Sequence, residues 1–430
     1  MATDTRLWHP FADMANVRGH ELVLERGEGI WLFDDRGNRY LDGTAALWYA
    51  NVGHGRREIA EAVAEQLAKL ETWSIFGDTA TAPSLELANR LAELAPVDNG
   101  RVFFGSGGGD GIEAAAKLAR RHFNAIGQPE RVHIVSRAKA YHGSQAFGTS
   151  IGGIEPNRAG VGPLVPSTST IAWDSADALR EEIATVGADR VAAFFMEPVI
   201  GAGGVYPPPE GYVESVAAIC REHGVIFVLD ATICGFGRVG TWFAAERWGV
   251  RPDMIVFAKG VTSGYLPLGG VVVGERVAAP FWDTPGNPFR HGQTYAGHAT
   301  CCAAGLANIE IMEREGLVER GRTLEGPLHD ALAPLADHPV VAEVRGGTGM
   351  MAAIELRPEL LERRKTAVQE VYVSVRDVGK LFMRPMLSSL AVSPPLTITE
   401  EEIGLLGESV RAGLDAFLAK VEPDLAAATV

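Results

Sequence analysis

Short, continuous apolar runs alternate with amphipathic segments between residues 101 and 274. The runs are RVFF, VHIVS, VAAFFMEPVI, VIFVLD, MIVFAK and GGVVVG. They are too short for most helices, and they lack the polar-apolar alternation of a strand with one face in water. The pattern therefore predicts strands of a mostly parallel sheet that is covered on both faces by helices, which is an α/β fold.

The chain before this core predicts a hairpin followed by two helices. Residues 30–42, IWLFDDRGNRYLD, place two apolar runs around a polar turn, as a β-hairpin does. From residue 57 the segment REIAEAVAEQLAKLET has helical periodicity, and SLELANRLAEL repeats that periodicity after Pro83. We therefore expect a small N-terminal unit ahead of the core.

The chain after residue 296 is largely helical in its periodicity. The strand-like pieces MMAAIEL and AVSPPLTIT, followed by the helical EEIGLLGESVRAGLDAFLAKV, predict a second, smaller α+β unit. We expect a large α/β domain over residues 60–325. The N-terminal residues 1–59 and the C-terminal residues 326–430 would together form the small domain.

Composition and charge exclude several classes of partner. The chain has 39 Lys and Arg against 54 Asp and Glu, a formal net charge of -15, which gives no general attraction to nucleic acid or anionic lipid. No apolar run reaches the length of about 18 residues expected of a membrane span, and the N-terminal residues lack the pattern of a signal peptide. We therefore expect a cytoplasmic protein that binds neither nucleic acid nor membranes. The four cysteines lack CxxC spacing and the 11 histidines lack HExxH, so no metal site is predicted.

A glycine-rich turn follows the first predicted strand of the core. In RVFFGSGGGDGIEAAAKLAR, a strand runs through Gly105–Gly109 into a helix. Glycines let backbone amides approach an anion, and a helix N-terminus adds unpaired donors and an aligned dipole. The spacing matches neither a P-loop nor the dinucleotide-binding fingerprint. The turn is either a phosphate seat or simply a flexible connection.

Two charged residues lie at the ends of the next apolar runs. Asp230 ends VIFVLD, and Lys259 ends MIVFAK 29 residues later. The carboxyl ends of parallel strands face the ligand crevice of an open α/β sheet. Burial there would favour the neutral amine of Lys259, which is the nucleophilic form. Alternatively, Asp230 caps a turn and the head of Lys259 extends into solvent.

Together, these three stretches match the needs of one cofactor. Pyridoxal phosphate (PLP) requires a phosphate seat, a carboxylate facing its ring nitrogen and an amine that condenses with its aldehyde. The chain supplies all three in strand-end positions. We therefore expect PLP to be the cofactor.

The ordered motifs resemble the class III aminotransferases, the ω-aminotransferase branch of the fold-type I PLP enzymes. The resemblance spans nearly the whole chain and rests on GEGIWLFDDRGNRYLDGTAALWYANVGHG, FFGSGGGDGIEAAAKLAR, KAYHGSQ, FFMEPVIGAGG, VLDATICGFGRVG, FAKGVTSGYLPLGG, HGQTYAGHAT and FMRPMLSSLAVSPPLTIT. It implies a fold-type I PLP-dependent transferase fold and a transaminase activity. It also implies a homodimer, and it leaves open whether dimers pair into a tetramer.

The resemblance assigns roles around the cofactor. Lys259 matches the family's Schiff-base lysine, and Asp230 matches the partner of the pyridine nitrogen. Tyr141 of the YHG motif matches the aromatic residue that stacks on the ring, and His142 is placed beside it among the cofactor-binding residues. Tyr141 could instead be a core aromatic.

The phosphate end involves two glycines and one threonine. Gly108 and Gly109 fall on the phosphate-loop positions, and Thr294 matches the threonine that reaches a phosphate in the neighbouring subunit. Thr294 could instead be a turn-capping hydroxyl. Where the family usually has Asp-Glu-Val this chain has Asp-Ala-Thr at 230–232, and it has Gly109 where a serine is common. Ile233, also counted among the cofactor-binding residues, replaces a glutamine or valine.

Two residues are implied to bind substrate. Trp48 resembles an aromatic that lines the pocket, and Arg384 resembles the mobile arginine that holds the carboxylate of an acceptor, a task suited to a bidentate guanidinium. Trp48 could instead be a core residue, and Arg384 a surface ion-pair residue. Glu197 belongs to the family's EP motif, although it could serve only to orient nearby loops. Leu47, Trp48 and Tyr49 are available to a donor pocket for an arylalkyl amine or ω-amino acid.

The predicted activity is transfer of an amino group from a primary amine or ω-amino acid to a keto acid such as pyruvate. An aminomutase, racemase or decarboxylase of the same fold would use the same lysine and aspartate. A non-catalytic relative that keeps only the fold is a further alternative.

Overall fold

The computed structural model describes residues 6–427, and for residues 422–427 it describes the backbone alone. The strands are β1 (Leu24–Glu28), β2 (Trp31–Asp34), β3 (Arg39–Asp42), β4 (Arg101–Gly105), β5 (His133–Arg137), β6 (Thr168–Ile171), β7 (Val191–Met196), β8 (Ile226–Asp230), β9 (Met254–Phe257), β10 (Gly269–Val273), β11 (Val341–Arg345), β12 (Ala352–Leu356), β13 (Leu381–Phe382), β14 (Arg384–Pro385) and β15 (Ser389–Val392).

The helices are α1 (Met14–Val17), α2 (Ala45–Trp48), α3 (Arg57–Lys69), α4 (Ala82–Leu94), α5 (Gly108–Ala125), α6 (Ala146–Ile151), α7 (Ala176–Val186), α8 (Tyr212–Glu222), α9 (Glu275–Trp282), α10 (Ala299–Arg314), α11 (Leu317–Thr323), α12 (Glu325–Leu332), α13 (Pro358–Arg363), α14 (Ala367–Asp377) and α15 (Glu400–Ala427). Short 3₁₀ turns cover Glu155–Asn157, Ala245–Trp248, Lys259–Val261 and Ala333–Asp337. Within residues 6–427, no helix is long and apolar enough to cross a bilayer.

A seven-stranded sheet of order β4-β10-β9-β8-β7-β5-β6 forms the centre of the molecule. All six strands expected from the apolar runs are present, and β6 is a further strand at one edge. Strands β5 to β9 pair in parallel, and every residue of β7, β8 and β9 is buried. Burial on both faces explains why these strands are continuously apolar. The predicted α/β fold with a mostly parallel sheet is confirmed.

Strand β10 alone runs antiparallel to its neighbours, β4 and β9. Its first residue, Gly269, therefore lies at the edge where β4 and β9 end, paired with Gly105. A Cβ on Gly269 would lie 2.6 Å from the carbonyl carbon of Gly107. The turn after β4 and the chain that returns from Lys259 therefore touch through backbone atoms.

Two smaller sheets come from the two ends of the chain. Strands β2 and β3 form the predicted antiparallel hairpin, and β1 pairs with β2. The C-terminal β13 pairs in parallel with β3, so the first sheet has the order β1-β2-β3-β13. The other sheet has the order β11-β12-β15-β14. The N-terminal and C-terminal segments thus share backbone hydrogen bonds, while the domain boundaries themselves remain a prediction.

Candidate active site

A cavity of about 430 Å³ lies at the carboxyl ends of β4, β8 and β9. This is the edge at which an open α/β sheet binds its ligands. Its lining includes seven of the eight residues that the sequence assigns to the cofactor, namely Gly108, Gly109, Tyr141, His142, Asp230, Ile233 and Lys259. The eighth, Thr294, is exposed to solvent and lies outside the lining.

Asp230 ends β8 and is held in the ionised form. Its Oδ2 lies 2.8 Å from Nδ1 of His142, and its Oδ1 accepts a hydrogen bond from the backbone N of Thr232 at 3.1 Å. Burial acts to raise the pKa of Asp230, but the bonds from His142 and Thr232 outweigh it and the pKa lies below the ordinary value. The site therefore presents a buried negative charge.

His142 orients this carboxylate. Its side chain is enclosed between Asp230 and Phe195, whose ring meets the imidazole edge-on at 6.2 Å between centroids. The remaining ring nitrogen, Nε2, is buried and has no hydrogen-bond partner among the residues described. The sequence placed His142 in the site by its position after Tyr141, but the bond to a residue 88 positions away could not be seen there.

Lys259 follows β9 by two residues and has an unusual backbone. Its φ is +46°, in the left-handed region that costs a residue with a side chain about 1–2 kcal/mol. Burial lowers the pKa of Lys259, and the charges of Asp230 and Glu197 oppose that shift without reversing it. The geometry thus supplies a half-buried amine whose neutral form is favoured relative to a lysine in water.

Contacts with Asn308 and Asn51 fix the turn that carries Lys259. Asn308 is buried, and its side-chain amide donates to the carbonyl oxygens of Gly260 at 2.9 Å and Val261 at 3.0 Å. A Cβ on Gly260 would lie 2.6 Å from Nδ2 of Asn51, so the chain passes against that side chain with no spare room. These contacts hold the strained lysine in place.

Glu197 acts on the loop that carries Tyr141. Its Oε1 accepts from the backbone N of Tyr141 and its Oε2 accepts from the backbone N of Gly201, both at 2.9 Å. The carboxyl is buried, and burial raises its pKa. The orienting role that the sequence left open for Glu197 therefore has a structural basis in these two bonds.

The glycine turn opens onto the cavity at the start of α5. The first N–H groups of a helix have no partner within the helix, and here they belong to glycines that leave them uncovered. A Cβ on Gly108 would lie 2.8 Å from Cγ2 of Thr232, which leaves no room for a side chain there. Asp110 is turned away from this point, because its Oδ2 accepts from Ser106 N and its Oδ1 accepts from Gln145, both at 2.8 Å.

Trp48 does not line the cavity, whereas Tyr49 does. Trp48 is 3% exposed and packs among apolar residues that include Val199 and Ile233. The positive φ angles of Ala45, +45°, and Trp48, +59°, turn the indole into this core. Tyr49 is therefore the aromatic of this pair that lines the cavity, and Trp48 belongs to the buried apolar cluster that also contains Ile233.

Arg384 lies in an adjoining groove of about 960 Å³. Tyr49 lines both the groove and the cavity, so it stands at their junction. Burial lowers the pKa of Arg384, and within the described part of the chain no carboxylate pairs with its guanidinium. An unpaired arginine facing a groove can bind a substrate carboxylate. The alternative role as a surface ion-pair residue finds no carboxylate partner among the described residues, and the role of Arg384 stays a prediction.

The cavity fits the cofactor expected from the sequence. The uncovered amides at the start of α5 suit a phosphate, and the ionised Asp230 suits a protonated pyridine nitrogen. Two buried polar atoms in the lining, Nε2 of His142 and Oγ1 of Thr232, have no partner among the described residues. Such atoms are expected where a polar group binds.

Comparisons with known proteins agree with this geometry. The profile of the aminotransferase class-III family matches residues 14–412. The putrescine–pyruvate aminotransferase of Pseudomonas aeruginosa is 35% identical over 436 residues, covering 96% of this chain and 94% of that protein.

Solved structures show the same similarity. An (S)-enantioselective ω-transaminase from Thermomicrobium roseum superposes with a TM-score of 0.92 at 38% identity, covering 95% of this chain and 96% of its own. A PLP-bound amine transaminase from an uncultivated Pseudomonas species also has a TM-score of 0.92, at 33% identity, with 97% of this chain and 100% of its own covered.

Proposed function

Since the chain belongs to the class III aminotransferase family and is a PLP-dependent transaminase, we propose that Lys259, Asp230 and the glycine turn at residues 107–109 form its catalytic centre. The observation that carries this proposal is the half-buried amine of Lys259, held in a strained turn inside the cavity that Asp230 also lines.

When bound, PLP supplies an aldehyde that holds the amino group and a ring that withdraws electrons from the substrate carbon. Lys259 would hold PLP through its Nζ, and its free, neutral amine would move a proton at the substrate carbon. Asp230 would hold a proton on the ring nitrogen, since its low pKa keeps it ionised. Tyr141 would lie against the ring, and Glu197 fixes the backbone of Tyr141.

We propose that the active unit is a homodimer. Thr294 is exposed and lies away from the cavity of its own chain, as a residue that completes the phosphate seat of a second copy must be. Trp73, Phe76 and Tyr295 are each at least 58% exposed, and Phe76 packs against Gly292 in the loop that carries Thr294. Burying these aromatic side chains would favour association.

The substrates are proposed from the groove. Arg384 is placed to bind the carboxylate of a keto acid such as pyruvate, or of an ω-amino acid donor. Tyr49 and Ile233 give the cavity an apolar and aromatic wall that suits the carbon chain of a primary amine. The putrescine–pyruvate relative supports an aliphatic amine and pyruvate as one donor and acceptor pair.

We also propose that residues 60–325 form the large domain. Residues 1–59 and 326–430 would form the small domain. The pairing of β3 with β13 supports this partition, because it joins the two terminal segments in one sheet.

The spectrum of the purified protein tests the catalytic assignment. The wild type with PLP should be yellow, should bleach when a primary amine is added, and should recover its colour with pyruvate. Lys259→Ala should give neither the visible band nor turnover, while Lys139→Ala, a lysine outside the cavity lining, should keep both. Retention of the band and of turnover in Lys259→Ala would refute the assignment, and failure of every primary amine to bleach the wild type would refute the donor class.

A further inference from the structure

Thr232 has a buried hydroxyl that faces the cavity without a hydrogen-bond partner among the described residues. It lies two residues after Asp230 and lines the cavity. Its Oγ1 is shielded from solvent and makes no hydrogen bond of good geometry to any described residue. Buried hydroxyls are usually paired because an unpaired one is unfavourable, so this one indicates a partner that binds in the cavity.

The hydroxyl lies beside the start of α5. A Cβ built on Gly108 would lie 2.8 Å from Cγ2 of Thr232 and 2.9 Å from its Oγ1. Gly108 is the first residue of α5, where unpaired backbone N–H groups converge. The backbone N of Thr232 donates to Asp230, which fixes the main chain on which the hydroxyl is mounted.

The glycine turn itself is short of side-chain donors. Residues 107–109 are all glycine, so only backbone amides are available there, and Ser106 is the nearest hydroxyl along the turn. Apart from Ser106, a hydroxyl that donates to an anion at this turn must come from a neighbouring segment, and Thr232 lies on one.

We propose that Thr232 is a further cofactor-binding residue, whose Oγ1 donates a hydrogen bond to the phosphate group of PLP beside the glycine turn. The inference rests on the proposed function, since it takes PLP as the ligand of this cavity. Val and Thr have nearly the same shape, so exchanging one for the other at position 232 tests the hydroxyl with little change in packing.

Asp230 is the competing partner for this hydroxyl. Thr232 lies close enough to Asp230 for its side chain to contribute to the lowered pKa of that carboxyl. A hydroxyl bonded to Asp230 would affect binding at the ring nitrogen, so its removal would weaken the binding of a ligand with or without a phosphate equally. PLP and pyridoxal, which lacks the phosphate, therefore separate the two cases.

The test is the equilibrium titration of the apoprotein with PLP and, separately, with pyridoxal, followed by the visible absorbance of the bound form. Thr232→Val replaces the hydroxyl by a methyl group, and Thr232→Ser keeps the hydroxyl while removing the methyl. Thr232→Val should bind PLP about three- to tenfold more weakly than the wild type, as expected for one lost hydrogen bond. Thr232→Ser should stay within about twofold, and all three proteins should bind pyridoxal equally within the same margin.

Two results would overturn the proposal. Unchanged PLP affinity in Thr232→Val would show that the hydroxyl contributes nothing to binding, and an equal loss for PLP and pyridoxal would assign it to the ring end. If Thr232→Val does not fold, as judged by circular dichroism of the apoprotein, Thr232→Ala serves the same comparison. Failure of the proposed function can be told apart from failure of this inference. If the proposed function were wrong, Lys259→Ala would show the wild-type absorbance with both PLP and pyridoxal, whichever residue stands at position 232.

Discussion

Gly111 sets how closely α5, and with it the glycine turn, approaches the central sheet. It is buried in the first turn of the helix, facing β9 and β10. In Gly111→Ala the new Cβ would lie 2.5 Å from the carbonyl oxygen of Gly270 and 2.7 Å from Cγ1 of Val256. The first of these neighbours is backbone within the sheet, so it cannot rotate aside as a flexible side chain would.

The size of the effect follows from two opposing contributions. Alanine is favoured over glycine inside a helix by about 1 kcal/mol. Inserting a methyl group into a filled core costs about 1–3 kcal/mol, and contacts this short against backbone belong at the upper end of that range. We therefore expect Gly111→Ala to lower the free energy of unfolding by roughly 1–2 kcal/mol. It should also displace the start of α5 and so weaken PLP binding.

Urea denaturation and PLP titration of the apoprotein measure the two effects. Gly404→Ala is the matched control, because Gly404 is an exposed helical glycine in α15 and an added Cβ there would have no neighbour within 4 Å. The control should raise the free energy of unfolding by about 0.5–1 kcal/mol and leave PLP affinity unchanged. If Gly111→Ala were as stable as Gly404→Ala and bound PLP normally, the inference that this glycine fixes the helix against the sheet would be wrong.

Three further outcomes are expected. Arg384→Gln should weaken the reaction with pyruvate about 10- to 100-fold, which is the value of a charge-assisted hydrogen bond. Stopped-flow bleaching by an amine without a carboxylate should stay within about twofold of the wild type. Equal losses in both half-reactions would contradict the proposed role of Arg384. Burial lowers the pKa of Lys259 below 10.5, so capture of pyridoxal by the apoprotein should rise with pH and level off with a midpoint below 10.5. A midpoint at or above 10.5 would count against this half-buried amine as the group that captures pyridoxal. Glu197→Gln should leave one backbone N–H, that of Tyr141 or of Gly201, without its acceptor. The free energy of unfolding, measured by urea denaturation, should fall by about 1–3 kcal/mol. Unchanged stability would show that these bonds do not hold the loop.

The sheet could be predicted because its strands are buried on both faces. Continuous apolar runs are what a covered parallel strand requires, and the six strands from β4 to β10 that have them were predicted. Strand β6 escaped prediction because its sequence, TSTI, is polar and only its last residue is buried. β6 therefore lacks the apolar run from which the other edge strand, β4, was predicted.

The candidate site could be predicted in its residues but not in its contacts. Lys259 and Asp230 stood out because each ends an apolar run. The bond between His142 and Asp230, and the two bonds that Glu197 accepts, join residues that are distant along the chain or lie in irregular loops. Trp48 and Tyr49 are adjacent aromatics, and only the positive-φ turn that precedes them decides which one enters the cavity.

The parallel pairing of β3 with β13 has a consequence for synthesis of the chain. Leu41 and Asp42 pair with Leu381 and Phe382, so the N-terminal sheet cannot be completed until almost the whole polypeptide has left the ribosome. At translation rates of about 5–20 residues per second, the first strands wait roughly 20 to 70 seconds for their partner. The strands of the seven-stranded sheet all lie within residues 101–273, so this sheet can fold during that interval. The position of β13 late in the sequence therefore makes the N-terminal sheet the later of the two to be completed.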